Sequence, residues 1–112
     1  DTKTPKRMLD EVGADNLMVC ANTSIPGYVG ETLETYFEVF GNRIGLVQMA
    51  DAVEDCDQLA WGEGNVNLKE QMDILEKFGY EGPVTMELLM EEYAEDPHKI
   101  HADSLEYMKK NS

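Results

Sequence analysis

Ile44-Gly45-Leu46-Val47-Gln48-Met49-Ala50-Asp51 is the stretch on which the fold turns. Its apolar residues follow one another instead of alternating with polar ones. A helix-ending Gly41 precedes it and a polar run follows. Such a segment reads as a strand covered on both faces, the habit of parallel sheets. Asn16-Leu17-Met18-Val19-Cys20 upstream and Pro83 to Leu89 downstream read the same way. Between the first two lies a helix with Leu33, Tyr36, Phe37 and Phe40 at i, i+3, i+4 and i+7. Between the second and third lies another, capped by Asn67 with Glu70 as capping-box partner. It is apolar at Leu68, Met72, Leu75 and Phe78 and is stopped by Gly79.

A helix opening at Thr4-Pro5, with Met8, Leu9 and Val12 before Gly13, comes first. The last opens at Asp96-Pro97, carries Ile100, Leu105 and Met108, and ends in Lys109 and Lys110, which complement its dipole. Ala21 to Gly30, with a Pro26-Gly27 turn, and Asp51 to Asn65 read as loops. The order α-β-α-β-α-β-α, with strand centres about 28 and 40 residues apart, is that of βαβ units. Parallel strands with right-handed crossovers follow. Crossovers that keep winding one way put every helix on one face and leave the other bare. The chain then belongs to a larger barrel, or its copies pack together. A doubly wound sheet with helices on both faces is the alternative.

The 112 residues allow one domain, 1–112. A net charge of −14 argues against a nucleic-acid or anionic-membrane partner, since phosphate contacts need clustered Lys and Arg. Apolar residues make up 42%, a globular composition, and no apolar run nears the ~20 residues that span a bilayer. No secretory signal is visible, and Cys20 and Cys56 are too few for a disulfide framework, so the expected location is cytoplasmic.

In parallel α/β folds, functional groups gather where strands end. Glu87, inside the apolar run Val84-Thr85-Met86-Glu87-Leu88-Leu89, is costly to bury unpaired. It is a metal ligand or general base, or else a Glu paired with Lys or Arg or facing solvent. Asp51 orients a ligand or caps the following turn, the cap being favoured. Gln48 is a site residue or a hydrogen-bonded core amide, and Cys20 a thiolate ligand or a small hydrophobe. Asp51, Glu54, Asp55, Asp57 and Glu63, with Glu91, Glu92, Glu95 and Asp96, form acidic loops that read as solvated surface unless a cation is bound. Gly62-Glu63-Gly64 fits neither a dinucleotide fingerprint nor a P-loop. His98 and His101 are exposed residues of the last helix on this reading, and no nucleophile triad is available.

Ile44 to Asp51, Trp61-Gly62-Glu63-Gly64-Asn65-Val66 and Phe78-Gly79-Tyr80-Glu81-Gly82-Pro83-Val84-Thr85-Met86-Glu87 together resemble sugar isomerases and epimerases of the xylose isomerase-like TIM-barrel superfamily. The tagatose 3-epimerase and fructoselysine epimerase-like group is the nearest in flavour. The resemblance implies an α/β partial TIM barrel whose three parallel strands are barrel strands six to eight. It implies a neutral sugar substrate, a divalent metal (manganese, magnesium or cobalt) and proton transfer beside a ketose carbonyl. Glu87 takes the place of the final-strand Glu, both ligand and catalytic acid/base. Asp51, Gly62, Glu63 and Gly64 take substrate-side positions. The family's Asp ligand falls at Cys20 or its immediate neighbour, its His ligand at Gln48, and a second site histidine at Thr23 or Ser24. The first Glu ligand belongs to an upstream strand. With those ligands replaced, this chain by itself is expected to be inactive, and a chain without metal is the alternative to one that holds it. Its partner is expected to be a second copy or a complementary half-barrel. A non-catalytic assembly and a small sugar- or cation-binding module are the alternatives.

Overall fold

The computed structural model of the chain describes residues 1–24 and 30–112. The elements are α1 (Lys3–Val12), β1 (Val19–Asn22), α2 (Leu33–Phe40), β2 (Ile44–Met49), β3 (Asp51–Val53), β4 (Cys56–Leu59), α3 (Leu68–Lys77), β5 (Val84–Met86) and α4 (Pro97–Asn111). Short 3₁₀ turns at Gly41–Arg43 and Glu91–Glu95 precede β2 and α4. One sheet has the order β1-β2-β5 and is parallel throughout, while β3 and β4 form a separate antiparallel hairpin. The chain is therefore α/β, with three parallel strands in one open sheet and not a closed barrel.

Alternation along the strands separates the two faces of the sheet. Val19 and Ala21 of β1, and Val47 and Met49 of β2, point into the buried core. Leu33, Phe37 and Phe40 of α2 and Leu68, Ile74 and Leu75 of α3 fill the same core. Both crossover helices thus cover one face, and the doubly wound alternative is set aside. Phe37 stacks on Phe78, with ring centroids 5.2 Å apart, and meets the edge of Tyr80. Arg43 ties the α1–β1 turn to β2 by donating to the carbonyls of Ala14 and Leu17 at 2.7–3.2 Å.

Several sequence expectations shift. The first strand starts at Val19 and not Asn16, and takes in Ala21 and Asn22, which were read as loop. A polar residue is at home there because it lies on the face that no helix covers. The segment from Asp51, read as a loop, contains the β3–β4 hairpin, turning at Glu54-Asp55. Strands of three and four residues, with one Asp in each, carry too little alternation to be recognised. Helix α1 begins at Lys3. The Thr2 hydroxyl and backbone N–H bind the Glu31 carboxylate instead of capping the helix. In α1 only Leu9 is buried, with Met8 and Val12 exposed. In α4 the buried residue is Ser104, and Leu105 faces outward. Asn67 caps α3 as expected, its side chain accepting from the Glu70 N–H at 3.2 Å. The Pro26-Gly27 turn lies outside the described residues.

Candidate functional site at the open sheet face

The uncovered face carries Cys20 and Asn22 of β1, Leu46 and Gln48 of β2, Thr85 of β5 and then Glu87. Register sets them side by side: Cys20 pairs with Leu46, Asn22 with Gln48, and Gln48 with Thr85. The strands were expected to be apolar on both faces, yet Leu46 is the one apolar member of this group. The C-terminal end of the sheet presents a polar surface, as a barrel interior does at its ligand end.

Hydrogen bonds order the group. The Glu87 N–H donates to the Met49 carbonyl at 3.2 Å, so the ladder runs past β5 and fixes Glu87 at the strand end. Reaching across β2, Asn22 Nδ2 donates to Glu87 Oε2. Asn22 Oδ1 accepts from the N–H and hydroxyl of Ser24 at 2.9 and 2.7 Å. Cys20 Sγ donates to Gln48 Oε1 at 3.1 Å. Burial, with a smaller contribution from the Glu87 charge, pushes the Cys20 thiol above its ordinary value, so it remains S–H at neutral pH. Thr23 is buried and locks β1 to β2. Its hydroxyl bonds the Ala50 carbonyl and accepts from the Ala50 N–H, and its own N–H donates to Gln48. A cavity of about 220 Å³ opens alongside, lined in part by Thr23, Ser24, Asn65 and Val66.

Asp51 and the Gly62-Glu63-Gly64 loop lie together, but they serve each other. Asp51 is only 2% exposed. Its Oδ1 accepts from the N–H groups of Ala52 and Val66, and its Oδ2 from those of Gly62 and Gly64, all at 2.8–3.0 Å. A Cβ on Gly64 would lie 2.4–2.6 Å from Asp51 Oδ1 and the Ala52 backbone, so only glycine lets the loop close on the carboxylate. Glu63 accepts from the Tyr93 hydroxyl, which in turn accepts from the Ala60 N–H at 3.0 Å. The structure thus uses these four residues to build the loop after the hairpin. Of the two readings of Asp51, its geometry matches the cap.

The donor set suits a divalent cation poorly. Glu87 is the single carboxylate of the group, with one oxygen taken by Asn22. Beside it stand two carboxamides and a protonated thiol, where a hard cation calls for several oxygen anions. Among the described residues, no three His, Cys, Asp or Glu side chains converge as a metal site would require. His98 and His101 lie on α4, and His101 Nδ1 pairs with the Pro97 carbonyl at 2.7 Å.

Sequence reasoning missed Asn22 as a site residue. The family's Asp position was assigned to Cys20 or its immediate neighbour, whereas the side chain that reaches Glu87 is that of Asn22. A strand drawn two residues longer would have placed Asn22 on the same face as Cys20.

The sequence profile of the xylose isomerase-like TIM barrel matches residues 2–111. The chain belongs to that family. No curated protein matches it at a significant level. No helix among the described residues is long and apolar enough to cross a membrane.

Proposed function

We propose that this chain is the sugar-handling part of an isomerase- or epimerase-type barrel. It holds a neutral sugar against the polar sheet face, and Glu87 is the carboxylate that moves a proton beside a ketose carbonyl. The observation that carries this reading is the Asn22–Glu87 hydrogen bond. It holds a carboxylate over the ends of three parallel strands in a member of the xylose isomerase-like family. Oε2 is engaged by the amide. Oε1 makes no hydrogen bond among the described residues and is the oxygen available to take and return a proton. Inverting a carbon next to a carbonyl needs one group to remove the proton and another to return it on the opposite side. This face offers one carboxylate. The chain by itself therefore binds the sugar, and turnover requires a second group from a complementary half-barrel. The manganese, magnesium or cobalt of the family chemistry does not bind to this chain alone.

Saturation-transfer NMR with D-fructose and D-tagatose tests the reading. Saturable binding that weakens several-fold in Glu87→Gln, with no epimer formed by the isolated chain, is the expected result. Absence of binding, or a Glu87→Gln variant that binds as well as the parent, overturns it. Calorimetry with each metal should be flat.

A further inference from the structure

We infer that the Cys20 thiol sets the orientation of the Gln48 carboxamide, so that Gln48 turns its Nε2–H groups toward an oxygen of a ketose on the open face while Glu87 Oε1 accepts from the neighbouring hydroxyl. This rests on the sugar-binding reading above and specifies what that site recognises.

A primary carboxamide has two ends of nearly equal shape, one accepting and one donating two hydrogen bonds. Which end faces the ligand decides which ligand atom is welcome. In the structure the oxygen end faces Cys20, whose S–H donates to Gln48 Oε1 at 3.1 Å. Burial and the Glu87 charge keep that thiol protonated. The amide oxygen is thereby turned to β1, and Nε2 makes no hydrogen bond among the described residues. The Gln48 backbone is held on both sides, by register with Asn22 and Thr85 and by the Thr23 N–H on its carbonyl at 3.0 Å.

The other amide of the face is not available. Asn22 spends Oδ1 on Ser24 and Nδ2 on Glu87. The open valences at the sheet end are thus a donor on Gln48 and an acceptor on Glu87, carried by adjacent strands. Two neighbouring sugar oxygens match that pair: one that only needs to accept, such as a carbonyl, and a hydroxyl that donates. An α-hydroxy ketone presents both. The net charge of −14 disfavours a phosphorylated version of the same ligand.

The experiment is a titration of the ¹⁵N-labelled chain with D-fructose, following the Gln48 side-chain NH₂ signals, which are assigned by their loss in Gln48→Met. Those signals should shift and saturate. Gln48→Met should weaken binding about 3- to 10-fold, the worth of one or two neutral hydrogen bonds. Cys20→Ala, which frees the amide to turn, should weaken it too. Cys20→Ser, which keeps a donor, should stay within about twofold of the parent on the same reasoning. D-fructose 6-phosphate should bind less well than D-fructose. Unchanged affinity in Gln48→Met, or equal losses in Cys20→Ala and Cys20→Ser, overturns the inference. If Glu87→Gln weakens binding in that case, the sugar-binding reading survives it. If D-fructose moves no signal of the protein, both fall together.

Discussion

Asp51 shows how much one buried carboxylate can organise. Four backbone N–H groups converge on it, two from its own hairpin and its return to α3 and two from the glycine-rich turn. Asp51→Asn would turn an amide NH₂ toward two of these donors and leave them unsatisfied. We expect a loss of about 3 kcal/mol of stability, read as a lowered urea midpoint with unchanged slope. A midpoint unchanged from the parent would mean that the loop closes without the carboxylate. Asp51 and Gly62-Glu63-Gly64 stand out in the sequence, but their connection does not. Nothing in a linear pattern tells that a carboxylate will bond to backbone fifteen residues on, so a binding loop and a self-capped loop read alike. Titration gives a second expectation at this scale. Cys20, Tyr36 and Tyr80 all have pKa values raised chiefly by burial above their ordinary 9.0, 10.0 and 10.0. Each is neutral when protonated, so below 9.0 neither the folded nor the unfolded chain gains. As pH rises through 9.0 and then 10.0, the unfolded chain ionises first and stability falls. In urea titrations across this range, Cys20→Ala should delay the onset of the fall. An identical onset in the variant would assign the loss to the tyrosines alone.

Helix α4 illustrates docking at the level of the element. Its one buried residue is Ser104, whose hydroxyl accepts from the Trp61 N–H at 3.1 Å. The Tyr107 ring lies against Gly62, so close that a Cβ there would come within 2.9 Å of it. The helix is thus attached to the turn after the hairpin, and Met108 packs against the core beside it. Ser104→Ala would leave the buried Trp61 N–H without an acceptor and cost roughly 1–3 kcal/mol. In hydrogen exchange, the Trp61 amide and the α4 amides should lose protection while β1 and β2 keep theirs. Equal loss in all of them would mean that α4 unfolds only with the whole domain. The same element separates what was legible from what was not. The strand Ile44–Met49 and helices α2 and α3 were readable because continuous apolar runs and a 3.6-residue period are written into the chain. In α4, Ile100 and Met108 of the expected apolar stripe are half-buried, Met108 against the core, while Leu105 faces outward and the one fully buried side chain is a serine. The hairpin was hidden for a related reason. Gln58, with φ +59, takes a left-handed conformation that no glycine announces, and its carbonyl accepts from the Leu89 N–H at 3.3 Å, a tertiary choice and not a local one.

At the scale of the whole molecule, the open face and the two sheet edges, β1 and β5, have no partner strand among the described residues. Leu46 is the one apolar side chain among the six strand-end positions named above, so that part of the face offers little apolar seal. Backbone pairing at an edge strand is the remaining attraction between two copies. Against it stands a net charge of −14 on each copy, a repulsion that weakens as the screening length shrinks from ~30 Å at 0.01 M salt to ~8 Å at 0.15 M. Self-association through the edges should therefore strengthen with added salt. Light scattering from the intact chain, over a range of concentrations and salt, checks this directly. A mass rising with salt from 12.6 kDa toward twice that value is the expected outcome for paired copies. A dimer at low salt that dissociates on salt addition would put opposite charges across the interface and rule out edge pairing as the driving force. A mass fixed at 12.6 kDa throughout would exclude a second copy. The proposed complementary half-barrel would then be the remaining candidate, and a basic surface on it is what charge complementarity to this chain asks for.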